Sequence, residues 1–154
     1  MDDIAAALGR VTSGLYILTA LHRGKRLGMV ASWVMQADFS PPLVTIALQK
    51  ERPIGAAVEA GAECVLNILP TGSKKLLIHF GNTDDEAEDL FVGLPLLDAK
   101  GPPILTEAHA YLRGRQQSVA DAGDHRIHVI AVESGKVLHP GEPMVHVRRS
   151  GMNY

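Results

Sequence analysis

Cysteine, aromatic rings and surplus charge are all scarce in this chain, and each shortage closes off a class of protein. The single cysteine, Cys64, cannot form an internal disulfide, so no cystine framework holds the fold. It lies in Cys64-Val65-Leu66-Asn67-Ile68-Leu69, which reads as a buried strand with the thiol as a small core group. Net charge is only −2, so the total charge draws in no polyanion and no nucleic-acid partner is expected. No apolar run approaches the ~18 residues that span a bilayer, and no membrane segment is expected. The start, Met1-Asp2-Asp3-Ile4, is acidic and lacks the basic region of a secretory signal; a cytoplasmic home is the simplest expectation. Gly-x-Gly-x-x-Gly and Walker-type loops are missing. A Rossmann nucleotide site is therefore not supported, and a nicotinamide donor would have to bind elsewhere. His79, His109, His139 and His146 show no ligand spacing, and His125 and His128, three apart on a strand, point to opposite faces. No metal centre is expected, and no Ser-His-Asp or Cys-His nucleophile pattern stands out.

What remains is ordinary globular material. A length of 154 residues, 46% hydrophobic and 21% charged, suits one domain over residues 1–154 with a sizeable core. The organising stretch is 27–54. Two apolar runs, Met29–Val34 and Leu43–Leu48, flank Ala37-Asp38-Phe39-Ser40-Pro41-Pro42. Val30, Val34, Val44, Thr45 and Ile46 are β-branched and favour strands. Pro41 and Pro42 cannot donate to a ladder and fit the entry to the second strand. Lys50 and Arg52 follow it, and Pro53 fits the first turn of a helix, Pro53–Ala60, that Gly61 ends. Cations beside a helix start suit an anion. Ser32, Trp33 and Gln36 add a hydroxyl, a flat ring and an amide. Such hooks on an apolar wall suit a planar cofactor with a phosphate tail. On pattern alone, ordinary residues of a half-exposed strand are the simpler account of these three.

Elsewhere the pattern predicts a helix over Ile4–Val11, capped by Asp2 or Asp3, and a strand over Gly14–Ala20. A polar turn covers His22–Arg26. A strand runs over Glu63–Leu69, then a helix over Lys74–Phe80 that Thr71 or Ser73 caps and Gly81 stops. The acidic run Asp84–Asp89 reads as a solvated face or mobile loop. Residues 95–107 read as a loop with one short strand. Strands follow over Tyr111–Val119 and Arg126–Glu133, around the turn Asp121-Ala122-Gly123-Asp124, with a strand end at Lys136–Leu138. Strands dominate without regular βα alternation, which argues for a β-barrel with short helical covers.

Gly28-Met29-Val30-Ala31-Ser32-Trp33-Val34, followed by Phe39-Ser40-Pro41-Pro42-Leu43, resembles the flavin reductase-like family of FMN-binding split barrels. Gly123-Asp124-His125 before a hydrophobic run, and the tail Arg148-Arg149-Ser150-Gly151-Met152-Asn153-Tyr154, extend the likeness. It covers nearly the whole chain and is nearest to the C-terminal flavin reductase module of diflavin flavodiiron proteins. The resemblance implies a mainly β, Greek-key split barrel with a few short covering helices. It implies FMN, or FAD, held by Met29, Val30, Ala31, Ser32, Trp33, Val34, Gln36, Lys50, Arg52 and Ile54. Residues 31–34 would line the isoalloxazine, and Gln36, where many relatives have Ser, would face the ribityl-phosphate side. Lys50 and Arg52 are the better phosphate candidates, because each carries a fixed cation. His125 would contact the nicotinamide or the flavin edge, with Asp124 orienting it; together they are the catalytic pair. Phe91 falls where the family often has a Phe near the active site, and the tail would pack near the flavin or a partner subunit. The implied activity is hydride transfer from NADH or NADPH to flavin, in a homodimer with flavin near the interface. Electrons would pass on to free flavin, a partner oxygenase or a diiron module. Two alternatives stay open: a flavin electron-transfer module without its own nicotinamide site, and a split-barrel binding protein that uses no flavin.

Overall fold

The computed structural model describes residues 2–81 and 89–154; of the acidic run only Asp89 falls within them. Asp2 opens the chain's first helix, α1 (Asp3–Leu8), its Oδ1 accepting from the Ala5 N–H at 2.7 Å. The helix stops short of Val11: past Leu8 the chain tightens into i→i−3 bonds, Arg10 N–H to the Ala7 carbonyl at 2.9 Å and Val11 N–H to the Leu8 carbonyl at 3.1 Å, and the Gly9 carbonyl accepts from the Arg148 N–H at 3.3 Å. Five strands follow: β1 (Ser13–Gly14), β2 (Tyr16–His22), β3 (Lys25–Ala31), β4 (Val34–Phe39) and β5 (Pro42–Gln49). Then come α2 (Pro53–Glu59), β6 (Cys64–Ile68) and α3 (Lys74–Gly81). Pro53 occupies the first turn of α2, where its missing N–H costs nothing. The Ser73 hydroxyl, just before α3, donates to the Pro70 carbonyl at 2.7 Å. Where one short strand was expected, β7 (Leu96–Asp98) and β8 (Ile104–Leu105) pair with each other. β9 (Ala110–Ala122) and β10 (His125–Val137) form a long hairpin, and β11 (Val145–His146) pairs with β1.

Seven of these strands make one antiparallel sheet in the order β3-β2-β6-β9-β10-β5-β4. The order contains the fold's main constraint. β3 and β4 are consecutive in the chain but are the two edges of the sheet, joined only through Ser32 and Trp33. A link from Ala31 to Val34 spans at most ~11 Å, so the edges must converge there and the sheet curls into a barrel. The barrel stays split, because the sheet is not closed. The apolar run Met29–Val34 is therefore not one strand; it changes edge at Ser32–Trp33. The Trp33 carbonyl accepts from the Ala47 N–H at 3.0 Å, which ties the link to β5.

Both faces of the central strands are covered. On one face Leu18, Ala20, Ile46 and Leu66 pack with Ile54 and Val58 of α2. On the other, Ile17, Leu69 and Leu105 pack with Phe80 of α3 and with Phe91. Phe91 is a core residue, its ring centroid 5.4 Å from that of Phe80, rather than a residue of the main cleft. Two buried polar side chains on this face find backbone partners. Thr19 Oγ1 donates to the Pro103 carbonyl at 2.6 Å, and Asn67 accepts from the Leu105 N–H at 2.9 Å.

Candidate active site

The Ser32–Trp33 link, the end of β5, α3 and β11 enclose a cleft of about 500 Å³. Its wall is mostly apolar, with Met29, Val30 and Ala31 from the end of β3 and Leu77 and Phe80 from α3. Ser32, Trp33, Gln49, Arg52, His146 and Tyr154 supply polar and aromatic groups. Strand alternation explains the contribution of β5: Val44, Ile46 and Leu48 are buried, so Ala47 and Gln49 turn to the other face. A second cleft of about 680 Å³ shares Trp33, Ala47, Gln49 and Tyr154 with the first and adds Asp124, His125 and Arg148.

Trp33 stands where the two clefts meet. The His125 ring stacks on it at 4.7 Å, Tyr154 tilts against it at 5.2 Å, and the Arg148 guanidinium lies 5.3 Å from its centroid. His125 opens β10 directly after the Gly123 turn, whose φ of +65° favours glycine. The Lys50 N–H donates to the Asp124 carbonyl at 3.0 Å and pins this turn to the end of β5. His125 Nδ1 lies 2.7 Å from Asp124 Oδ1, and its Nε2 is bonded to the Tyr154 hydroxyl. The hydrogen bond from His125 holds the Asp124 carboxyl below its usual range. Burial pushes the Tyr154 phenol up, as does the Asp124 charge, while Arg52 and Arg148 pull it down.

The tail reaches this position along α1. The Ala5 carbonyl accepts from the Gly151 N–H at 2.7 Å, and Arg10 Nη2 donates to the Arg148 carbonyl. Arg148 Nη1 in turn donates to the Asn153 carbonyl at 3.0 Å.

Of the residues proposed from the sequence to hold flavin, Met29, Val30, Ala31, Ser32, Trp33 and Arg52 come together on the first cleft. Val34 and Gln36 lie on a separate groove of about 310 Å³, and the Gln36 amide donates to the Asp38 carbonyl at 3.4 Å. Lys50 pairs with Asp121 at 3.7 Å, and Ile54 is 3% exposed in the core. His125 and Asp124 line the second cleft only. Sequence reasoning missed Phe80, Leu77, Gln49 and the full part played by Tyr154. The two-residue period of β5 carried a signal for Gln49; nothing local signalled the others.

Fold and cleft together define a split-barrel domain with an aromatic, cation-flanked binding site on the link between its edges. Residues 8–153 match the family described as flavin reductase like domain, and the chain belongs to that family. It is 39% identical over 156 residues to "Diflavin flavoprotein A 1" of Synechocystis sp. (strain ATCC 27184 / PCC 6803 / Kazusa), covering 99% of this chain and 27% of that protein. The chain thus spans about a quarter of the length of the curated relatives it matches. Among solved structures, nitrilotriacetate monooxygenase component B from Mycobacterium thermoresistibile superposes with a TM-score of 0.83 at 24% identity, over 94% of this chain and 80% of that one. An NADH:FAD oxidoreductase of Streptomyces globisporus gives a TM-score of 0.83 at 23% identity, over 92% and 85%. These two share the fold.

Proposed function

We propose that residues 1–154 act as one flavin reductase domain that binds FMN, or FAD, and takes a hydride from NADH or NADPH. The observation that carries this reading is the first cleft. Its volume of about 500 Å³ lies within the ~300–1,000 Å³ of small-molecule sites, and apolar walls meet the Arg52 guanidinium and the rings of Trp33 and Tyr154. That donor set fits a planar ring carrying a phosphate. When bound, the flavin supplies the hydride-accepting ring and the onward passage of electrons.

The chain's own residues do the rest. Met29, Val30, Ala31 and Phe80 keep water from the ring faces, and a drier cleft strengthens each polar contact made within it. Arg52 offers a fixed cation with several donors, the chemistry that holds a phosphate. Trp33 sets the ring plane, steadied by Arg148 against it. Alignment of this kind lowers a barrier by fixing the reacting partners before they meet. A homodimer with flavin near its interface belongs to the same reading. So does an electron acceptor of the oxygenase or diiron class, which the family resemblance implies.

The test is spectroscopic. The purified protein should bind FMN with a shifted flavin spectrum, and NADH or NADPH should bleach it without oxygen. Bound flavin that neither donor bleaches would leave an electron-transfer module without its own nicotinamide site. Failure to bind flavin would remove the reading.

A further inference from the structure

Tyr154 is the member of the His125 cluster that reaches the first cleft. It lines both clefts, whereas Asp124 and His125 line only the second. His125 is 8% exposed and both its ring nitrogens are engaged, Nδ1 by Asp124 and Nε2 by the Tyr154 hydroxyl. Asp124 decides how these bonds run. An ionised carboxylate only accepts, so Nδ1 carries the hydrogen. In the neutral ring Nε2 then accepts, and the Tyr154 hydroxyl donates to it. A hydroxyl has one hydrogen and two lone pairs, so what Tyr154 has left to offer the clefts is an acceptor. Ser32 and Gln49 on the first cleft and Asp124 on the second also carry acceptors; the cationic neighbours do not. Lys50 lies near Asp124, Arg52 and Arg148 lie near Tyr154, and the Trp33 ring is beside it; all four side chains offer donors only.

From this the geometry points to Tyr154 as a binding residue that accepts an N–H from the bound ring system, with Asp124 and His125 as positioning residues behind it. The inference rests on the flavin reading and names a contact for it. The chemistry recognised is an N–H on a planar heterocycle, supplied either by the flavin ring or by the carboxamide of the nicotinamide. Protonation of His125 makes Nε2 a donor and turns the Tyr154 hydrogen outward. The acceptor is then lost, and with it the contact.

Fluorescence titration with FMN, and of the FMN-loaded protein with NAD⁺, tests this on wild type, Tyr154→Phe, His125→Ala and the double variant. Tyr154→Phe keeps the ring and loses one hydrogen bond, so one of the two ligands should bind about 2–10-fold more weakly. The ligand that responds is the source of the N–H. His125→Ala should weaken the same ligand, and the double variant should bind no worse than Tyr154→Phe alone, because His125 acts through Tyr154. Losses that add in the double variant would overturn the inference. So would wild-type affinity for both ligands in Tyr154→Phe, and so would variants whose thermal melts drop while affinity per folded molecule is unchanged. In each case a wild type that still binds FMN leaves the flavin reading standing. A wild type that binds no flavin overturns both.

Discussion

Two cations a residue apart have different surroundings, and a substitution at each should show it. Arg52 lines the first cleft, while Lys50 pairs with Asp121 at 3.7 Å. Arg52→Ala should weaken FMN by about 10–100-fold, the worth of a charge-assisted contact, and leave riboflavin nearly untouched. Lys50→Ala should have the smaller effect on FMN. Isothermal titration with both ligands checks this, and equal loss of FMN and riboflavin would place the phosphate elsewhere. His128 offers a second residue-level outcome. It is 2% exposed, and burial holds its pKa below the ordinary value, with Glu59 opposing and Arg126 assisting. Its contribution to stability is complete above the unfolded value of ~6.5 and is lost as pH falls through that value toward the depressed folded one. The urea midpoint should therefore drop from pH 7.5 to pH 5, and the drop should be smaller in His128→Gln. At this scale the resemblance, not the pattern, pointed to Ser32 and Trp33, which pattern alone reads as ordinary strand residues; the structure brings both to one cleft with Arg52. Lys50 carries the same charge as Arg52, and only the fold pairs it with Asp121. The Tyr154 contact with His125 bridges 29 positions and leaves no periodic trace.

Elements are fixed here by close approaches that tolerate no side chain. A Cβ on Gly114 in β9 would lie 2.0 Å from the Ala131 carbonyl oxygen of β10. Gly114→Ala should therefore cost about 1–3 kcal/mol or more in a thermal or urea melt, since backbone rather than a flexible side chain must move. The tail is held by a similar contact: a Cβ on Gly151 would lie 2.0 Å from Leu8 Cβ on α1. Gly151→Ala should lift the tail and withdraw Tyr154, changing Trp33 fluorescence and lowering ligand affinity with a smaller loss of stability than Gly114→Ala. Unchanged fluorescence and affinity would show that Tyr154 is placed without α1. Helix α2 and strands β5 and β6 were readable almost to the residue, because Pro53, Gly61 and Pro70 punctuate them. The break at Ser32–Trp33 was not. Its residues are as strand-like as their neighbours, and only the need to join two sheet edges turns the chain there.

For the whole molecule the mainly β reading came from the order of strands, and the split barrel from the resemblance. Pairing was out of reach, since β2 with β6 and β5 with β10 join segments far apart in the chain. An interfacial flavin makes assembly depend on ligand, because anything bound only by the dimer favours it by mass action. Sedimentation should show a larger dimer fraction with FMN than without; a strict monomer that holds FMN tightly would count against an interfacial site.

The same sheet order sets a timetable for biosynthesis. The β4–β5 hairpin is complete once residue 49 has been made, but the strand that covers the other edge of β5 begins only at His125. Until then Val44, Ile46 and Leu48 belong to a hairpin bare on both edges, and contacts this distant in sequence form slowly. The nascent chain, rather than the finished barrel, is therefore the form most open to pairing with another copy of itself.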